Sequence, residues 1–501
     1  MLTRNKIRLI PAVDKNPTIV RLAQTLGGRA VIVGIYSILL LLHGDPYKWF
    51  ATLALLPLIF FPNQRRKLIA VIALLLLLVQ PYGFLLARPV FVGDTNLGRA
   101  LHVAVALAAF ALCAVYVHVA STRETVFLAK WPVATLLCLF GASIVAASLL
   151  PQGSGLAHFI VWGLIAAVGA KIWCLCYSLK SRTPRRPGDL FVEVGHYNAF
   201  WWGSFELPGA PMPKAGTFLD RIDSKTPEEL AVWQIKGLKL VLWAVLLGGF
   251  RDLMLAIAHG KPLFGAQLFG AFGLGIPTFD DALLMTAAGA PLPFYMNWLS
   301  LGIHFFANRL LQLAIVFHIA IGTCRVAGFK ALRGMYRPLD ARSLADFWNR
   351  VHFYFKELMV EFFFFPVFVR YLRRHPRLRL FIATFAAACF GNFIFHLLRD
   401  IDAFSTMGLV TTLKAYRRYA LYTFLLALGI ALSQLWERRK QAPGAPPSKE
   451  KGSIATTAAV LLCYCLLGVL DDGRGFSIRD SARFYLNLLP SNSSAELIAS
   501  P

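Results

Sequence analysis

Eleven apolar runs dominate the sequence and limit the folds available to it. A helix needs about 20 apolar residues to cross the roughly 30 Å hydrocarbon core of a bilayer. Runs that approach this length lie at residues 30–46, 48–62, 67–87, 100–120, 132–150, 157–179, 235–258, 297–320, 377–398, 416–436 and 454–470. Only 15% of the residues are charged, against about 25% in soluble domains. The sequence therefore predicts an all-α polytopic membrane protein with about eleven transmembrane helices.

The positive charge of the chain follows the gaps between these runs. Its net charge of +25 could suggest a nucleic-acid partner. The basic residues, however, lie in alternate loops, as cytoplasmic loops of membrane proteins do. Topology thus accounts for the excess, no nucleic-acid partner is expected, and the N-terminus is predicted to be cytoplasmic and the C-terminus extracytoplasmic. The clusters are Arg65, Arg66, Lys67; Arg123, Lys130; Lys180, Arg182, Arg185, Arg186; Arg325, Lys330, Arg333, Arg337, Arg342, Arg350; and Arg438, Arg439, Lys440.

Three further stretches do not have the pattern of a simple span. Residues 351–369 are apolar but have basic residues on both sides, so a crossing there would place one basic cluster outside. This stretch is predicted to be re-entrant or interfacial and to break at Pro366. Residues 189–232 mix aromatic residues with proline and glycine and predict a similar element. Residues 441–452 predict a flexible cytoplasmic linker.

Polar residues recur at helical spacing near the end of the ninth run. Asn392, His396 and Asp400 are four residues apart and share one face of a helix, with Arg399 beside them. Ionisable groups within a span are costly and usually face a cavity or a partner. One interpretation is a general base, with an acid that orients its imidazole. The alternative is that Arg399 and Asp400 mark the membrane interface and His396 is a packing residue.

A second polar group lies in the segment RPLDARSLADFWNRVHFYFKEL. Ser343 followed by Asp346 predicts a helix start of the capping-box type. Asn349 and His352 are then three residues apart and are expected on one face. The alternative is an amphipathic interfacial helix, anchored by Trp348, whose basic residues meet anionic lipid. The other histidines and the cysteines show no metal-ligand spacing, so no metal is predicted.

Taken together, these stretches resemble the membrane-bound O-acyltransferase (MBOAT) family, in its bacterial branch that acylates polysaccharides and wall polymers. SLADFWNRVHFYFKELMVEFFFFPVF is similar to the first histidine motif of the family, and FGNFIFHLLRD supplies the second histidine, His396. Upstream, FWWGSFELPGAPM and KIWCLCYSL are similar to a family loop and helix. The resemblance covers residues 155–400 in order, although residues 311–329 lack the acidic and serine residues of the corresponding family segment.

The resemblance implies a ring of helices around a central tunnel in a bacterial inner membrane. Residues 1–154 would form N-terminal transmembrane helices, 155–400 the catalytic core, and 401–501 the C-terminal helices. The implied reaction moves an acyl group from a cytoplasmic thioester, either acyl-CoA or an acylated phosphopantetheine carrier, to a hydroxyl of an extracytoplasmic or lipid-linked acceptor such as a polysaccharide. An accessory acyltransferase or a carrier protein is a possible partner.

For this implied acyl transfer, each of the polar residues is expected to have a particular role. His396 is the general base, Asn392 or a backbone amide stabilises the oxyanion, and Asp400 holds the imidazole tautomer. The residues expected to shape the tunnel are Trp348, Asn349, Arg350 and His352, and those expected to meet the donor phosphates are Arg337, Arg342 and Arg350. Two alternatives stay open. One is a transporter or flippase of a lipid-linked or anionic solute, and the other is an inactive acyltransferase-like scaffold.

Overall fold

The structure is a computed structural model. It describes residues 9–44, 48–79, 96–122, 127–150, 155–180, 187–197, 199–203, 214, 216–263, 273–290, 292–440, 454–471 and 475–490. Within these ranges the chain is helical and contains no β-strand, apart from an isolated bridge between Asp223 and Phe329. The all-α fold class predicted from the sequence is confirmed.

The helices follow one another with short connections. Up to the middle of the chain the α-helices are Pro17–Gln24, Leu26–His43, Lys48–Phe60, Arg65–Val79, Asn96–Thr122, Phe127–Lys130, Pro132–Ser148, Leu156–Gly169, Ile172–Lys180, Pro187–His196, Phe200–Gly203, Gly216–Ile222 and Pro227–His259. The later ones are Phe279–Ala287, Phe294–Ile303, Gln312–Val326, Leu344–Val351, Phe353–Met359, Phe365–Arg370, Pro376–Phe385, Asn392–Arg399, Ile401–Met407, Leu409–Ala415, Arg417–Lys440, Ile454–Asp471 and Ile478–Leu486. Three segments between them are π-helical: His304–Leu311, Val360–Phe364 and Ala386–Gly391.

Among the described residues, seven continuous helical stretches are long and apolar enough to cross a membrane, and two of them include a π-helical segment. They are Leu26–His43, Asn96–Thr122, Pro227–His259, Phe294–Val326, Pro376–Arg399, Arg417–Arg439 and Ile454–Asp471. An eighth span results if Leu156–Gly169 and Ile172–Lys180, which are bent by 45°, are taken together. The chain is therefore an integral, polytopic membrane protein.

The predicted number of eleven spans stays a prediction. Two of the predicted runs correspond to shorter helices, Lys48–Phe60 and Pro132–Ser148. A third, at 67–87, extends beyond residue 79 and so lies partly outside the described residues.

Polar side chains mark the starts of several helices. Asn16, Thr25, Thr278, Ser343 and Ser477 each accept a hydrogen bond from a backbone N–H in the first turn of the helix that follows. Such bonds satisfy N–H groups that have no partner within the helix. The helix start predicted at Ser343 is confirmed.

By its contacts the chain divides into two compact units. Unit 1 contains residues 1–246, 315–333 and 399–402, and unit 2 contains residues 247–314, 334–398 and 403–501.

Small residues let the helices of unit 1 approach closely. Pro227–His259 and Gln312–Val326 cross at two glycines: a Cβ added to Gly237 would lie 2.6 Å from the carbonyl oxygen of Gly322. In the other direction, a Cβ on Gly322 would lie 2.7 Å from a methyl group of Val241. Helices in membranes often associate through such small residues, because close backbone approach maximises van der Waals contact.

The core of unit 2 includes one apolar cluster and a contact between two π-helical segments. The buried cluster consists of Phe279, Ala282, Leu283, Leu301, Cys465, Val469, Phe484 and Leu488. The π-helical segments Val360–Phe364 and Ala386–Gly391 pack against each other. Glycine is required at this contact, since a Cβ on Gly391 would lie 2.7 Å from the sulfur of Met359 and 2.7 Å from the ring of Phe363.

The predicted break at Pro366 is wrong. The chain stays helical from Phe353 to Arg370, and a π-helical turn at Val360–Phe364 precedes the proline. Pro366 thus follows directly after a π-helical turn, where the regular α-helical hydrogen-bond pattern is already altered, and the helix continues past it.

Candidate functional site

The two motif histidines, which are distant in sequence, lie beside the same aromatic ring in unit 2. The ring centroid of Phe355 is 6.2 Å from that of His352 and 6.4 Å from that of His396. Phe395 contacts Phe355 at 4.7 Å, edge to face. The helix that carries Phe355 follows directly after His352, and His396 lies on the helix Asn392–Arg399. The fold therefore brings the two sequence motifs together.

Tyr419 contacts both of the residues to which the sequence assigns the central chemistry. Its ring centroid lies 4.6 Å from that of His396. Its hydroxyl donates a hydrogen bond of 3.2 Å to Oδ1 of Asn392. The Asn392 side chain is 1% exposed, and its Nδ2 has no hydrogen-bond partner within the described part of the chain. A buried amide donor is thus fixed by Tyr419 one helical turn from the imidazole of His396.

Sequence reasoning did not identify Tyr419, although the sequence contains a signal for it. Tyr416, Tyr419 and Tyr422 are three residues apart at the start of an apolar run, and this spacing places them on one face of a helix. In the structure the hydroxyl of Tyr416 donates to the backbone carbonyl of His396 at 3.4 Å. The ring of Tyr422 lies 5.3 Å from that of Tyr419.

The second sequence motif is bent at His352. The helix Leu344–Val351 ends one residue before it, and His352 is both the C-cap of that helix and the N-cap of the next. The predicted continuous helix face through Asn349 and His352 is therefore wrong. Trp348 remains close to His352, with ring centroids 5.1 Å apart, whereas Asn349 is exposed. The turn at His352 directs the following helix, and with it Phe355, towards His396.

Asp400 has a strong partner next to it in the chain. Both of its carboxylate oxygens accept hydrogen bonds from Arg399, at 2.9 and 3.2 Å, and Asp400 is buried. The helix that carries Asn392 and His396 ends at Arg399, so Asp400 follows the end of that helix. Its predicted role in holding the imidazole tautomer stays a prediction.

Two of the three arginines predicted to meet the acyl donor are paired with carboxylates. Arg337 lies 3.3 Å from Asp340, and Arg350 lies 2.8 Å from Asp346. Arg350 also donates to the backbone carbonyl of Arg337, at 3.4 Å, which links the two. The third, Arg342, is half-buried. Any phosphate bound here would share these guanidinium groups with the carboxylates.

No three His, Cys, Asp or Glu side chains come together as a metal-ligand set among the described residues.

His352 is expected to make the protein less stable in acid. Burial, together with the smaller effect of the nearby guanidinium of Arg309, lowers the pKa of His352 to about 4. Because the unfolded chain has a pKa near 6.5 at this residue, the unfolded state binds more protons between pH 6.5 and 4. Stability at pH 7 is therefore lost as the pH falls through this window, by up to about 3 kcal/mol.

His352→Gln removes this proton-binding difference, so its melting temperature should fall less between pH 7 and 4.5 than that of the wild type. Thermal unfolding of both proteins in a neutral detergent measures this. An equal pH dependence in the two proteins would show that His352 is not a buried neutral imidazole.

Comparisons with known proteins give no family assignment. A scan against protein-family models finds no match, and a search of curated protein sequences finds none.

Proposed function

We propose that the protein is a membrane-embedded O-acyltransferase that moves an acyl group from a cytoplasmic thioester to a hydroxyl of an extracytoplasmic or lipid-linked acceptor. The observation that supports this most strongly is that the rings of His352 and His396 both lie beside the ring of Phe355. The resemblance to membrane-bound O-acyltransferases rests on the two sequence motifs that contain these histidines. Their proximity in the fold is what a shared site requires.

His396 acts as the general base in this proposal. Its imidazole takes the proton of the acceptor hydroxyl as the oxygen attacks the thioester carbonyl. The new carbon–oxygen bond forms, the carbon–sulfur bond breaks, and the thiolate leaves. The proton held by His396 then passes to the thiolate or to solvent. A thiolate is a good leaving group, so the site needs no strong acid for its departure.

Asn392 stabilises the oxyanion of the tetrahedral intermediate in this proposal. Its Nδ2 is a buried donor, and the hydrogen bond from Tyr419 to Oδ1 fixes the amide. Preorganised donors of this kind are worth about 100- to 1000-fold in rate. Aromatic rings of Phe355, Phe395 and Tyr419 surround the imidazole, and hydrogen bonds are stronger in surroundings of low dielectric constant.

The donor in this proposal is acyl-CoA or an acylated phosphopantetheine carrier. Arg342, and the paired Arg337 and Arg350, are the residues of unit 2 that would meet its phosphates. The acceptor would be a polysaccharide or a lipid, and the reaction would take place in an inner membrane with the N-terminus cytoplasmic.

The purified full-length protein should release thiol from a thioester when a hydroxyl acceptor is present. The assay supplies acetyl-CoA, a long-chain acyl-CoA or an acylated carrier protein in turn, with a soluble oligosaccharide or a lipid-linked sugar as acceptor. Released thiol is measured with a chromogenic disulfide, and mass spectrometry identifies the acylated acceptor. Thiol release that depends on the acceptor supports the proposal.

The absence of thiol release for every donor and acceptor pair would contradict it. Uptake of the oligosaccharide or lipid into vesicles without thiol release would instead favour a transporter. The bend of 45° between Leu156–Gly169 and Ile172–Lys180 favours that alternative, because broken helices often form the binding sites of transporters. Restored thiol release on addition of a separate acyltransferase would indicate a scaffold.

A further inference from the structure

Unit 1 contains a polar cavity that the proposed acyl transfer does not use. Its volume is about 360 Å³, and it lies at the first turn of the long helix Pro227–His259. The side chains that matter for its chemistry are those of Arg29, Arg66, Asp220, Ser224 and Lys225. All the residues that line it belong to unit 1.

Arg65 forms the fixed wall of this cavity. Its guanidinium donates to Asp223 at 2.7 Å, and to the carbonyl oxygens of Pro62 and Gly328, both at 3.0 Å. Gly328 has a φ of +103°, and a Cβ there would lie 2.3 Å from the guanidinium, so glycine is required for this approach. The donor groups of Arg65 are thus used in hydrogen bonds within the protein, and its side chain forms part of the cavity wall.

The other cations around the cavity make fewer or more exposed contacts with the protein than Arg65 does. Arg29 makes one long hydrogen bond, of 3.5 Å, to the carbonyl of Ile59. Arg66 and Lys225 form ion pairs of 3.1 and 3.3 Å with Asp220 and Asp223, and both cations are about half or more exposed. Of the residues that the structure describes, four cations and two carboxylates thus line the cavity.

The positive charges of Arg29 and Arg65 lie close together in the wall of the cavity. Burial lowers the pKa of Arg65, the neighbouring Asp223 opposes that effect, and the positive charge of Arg29 lowers the pKa further. An anion between the two guanidinium groups would relieve the repulsion.

Ser224 supplies an independent sign of a ligand. The residue is 5% exposed and lines the cavity, and its hydroxyl has no hydrogen-bond partner in the described ranges. A buried hydroxyl without a partner costs about 1–3 kcal/mol. The positive end of the Pro227–His259 helix dipole lies beside it.

We propose that this cavity binds a phosphate group, held by Arg29, Arg66 and Lys225 and by the hydroxyl of Ser224. The sources with this chemistry are the headgroup of an anionic lipid and a soluble phosphate. The cavity is larger than one phosphate, so it can also hold part of the molecule that carries the phosphate. This inference does not rest on the proposed acyl transfer.

Calorimetric titration of the full-length protein in neutral detergent tests the site. The probes are short-chain phosphatidic acid, short-chain phosphatidylcholine and inorganic phosphate. Phosphatidic acid or inorganic phosphate should bind, and Arg29→Gln combined with Lys225→Gln should weaken that binding by at least about tenfold. Lys15→Gln removes an exposed positive charge of the same unit from a residue that does not line the cavity, and should change the affinity by less than about twofold.

Ser224→Ala keeps the test informative if the double variant does not fold. It should weaken binding about three- to tenfold while the melting temperature of the ligand-free protein stays equal or rises, because an unsatisfied hydroxyl has been removed. Binding of phosphatidic acid alone identifies a lipid headgroup, and equal binding of inorganic phosphate identifies a soluble ligand. The proposal is overturned if neither binds, or if Lys15→Gln weakens binding as much as the double variant.

Discussion

Replacing His396 with alanine is expected to lower acyl transfer from thioester to hydroxyl by about 100- to 10,000-fold. Without the imidazole, the acceptor hydroxyl has to lose its proton to water. Tyr419 and Phe355 would still form the walls of the site, since their contacts do not depend on the imidazole alone. The measurement is the rate of thiol release by the purified variant under saturating donor.

His352→Ala should have a different effect. The ring of His352 contacts that of Trp348, and His352 forms the turn before Phe355, so its loss should reduce stability and lower activity less than the loss of His396. The matched control is His118→Ala, which removes an exposed histidine from another helix and should leave the rate within about twofold. Activity near that of the wild type in His396→Ala would remove this residue from the mechanism.

Gly237→Ala is expected to destabilise unit 1 by about 3 kcal/mol, or to prevent the protein from accumulating. The new methyl group would lie 2.6 Å from the carbonyl oxygen of Gly322 and 2.8 Å from the backbone nitrogen of Val326. Neither atom can rotate away, so the two helices would have to separate. Unfolding in mixed micelles of increasing denaturing detergent, followed by circular dichroism, measures the loss.

Gly249→Ala is the control on the same helix. A Cβ at Gly249 has no neighbour within 4 Å. Alanine favours the helical backbone by up to about 1 kcal/mol over glycine, so this variant should be as stable as the wild type or more stable. Equal losses in the two variants would show that the crossing at Gly237 does not require glycine.

The sequence predicted the helical class and several of its elements because their signals are local. Apolar length identified the seven described helices that are long enough to cross a membrane, and the serine at 343 identified a helix start that the structure has. The proximity of His352 and His396 could not be derived from spacing, because it depends on how separate helices pack. Only the resemblance to a known family pointed to a shared site.

The errors arose where the backbone departs from regular α-helix. The shared face of Asn349 and His352 assumed 3.6 residues per turn, and the turn at His352 violates that assumption. The break at Pro366 assumed that proline ends a helix, whereas a π-helical segment precedes it and the helix continues to Arg370. Tyr419 was missed for another reason: aromatic residues in an apolar run are read as packing residues, and only the partner of the hydroxyl, Asn392, reveals a further role.

The π-helical segment Ala386–Gly391 sets the rotational phase of the helix that carries Asn392 and His396. Each residue turns an α-helix by about 100°, and a π-helical turn accommodates one residue more than an α-helical turn. The extra residue is absorbed within this turn, so the same residues in regular α-helical geometry would carry the amide and the imidazole round by about that angle, away from Tyr419. The π-helical turn, and not the side chains alone, therefore determines which way Asn392 and His396 face.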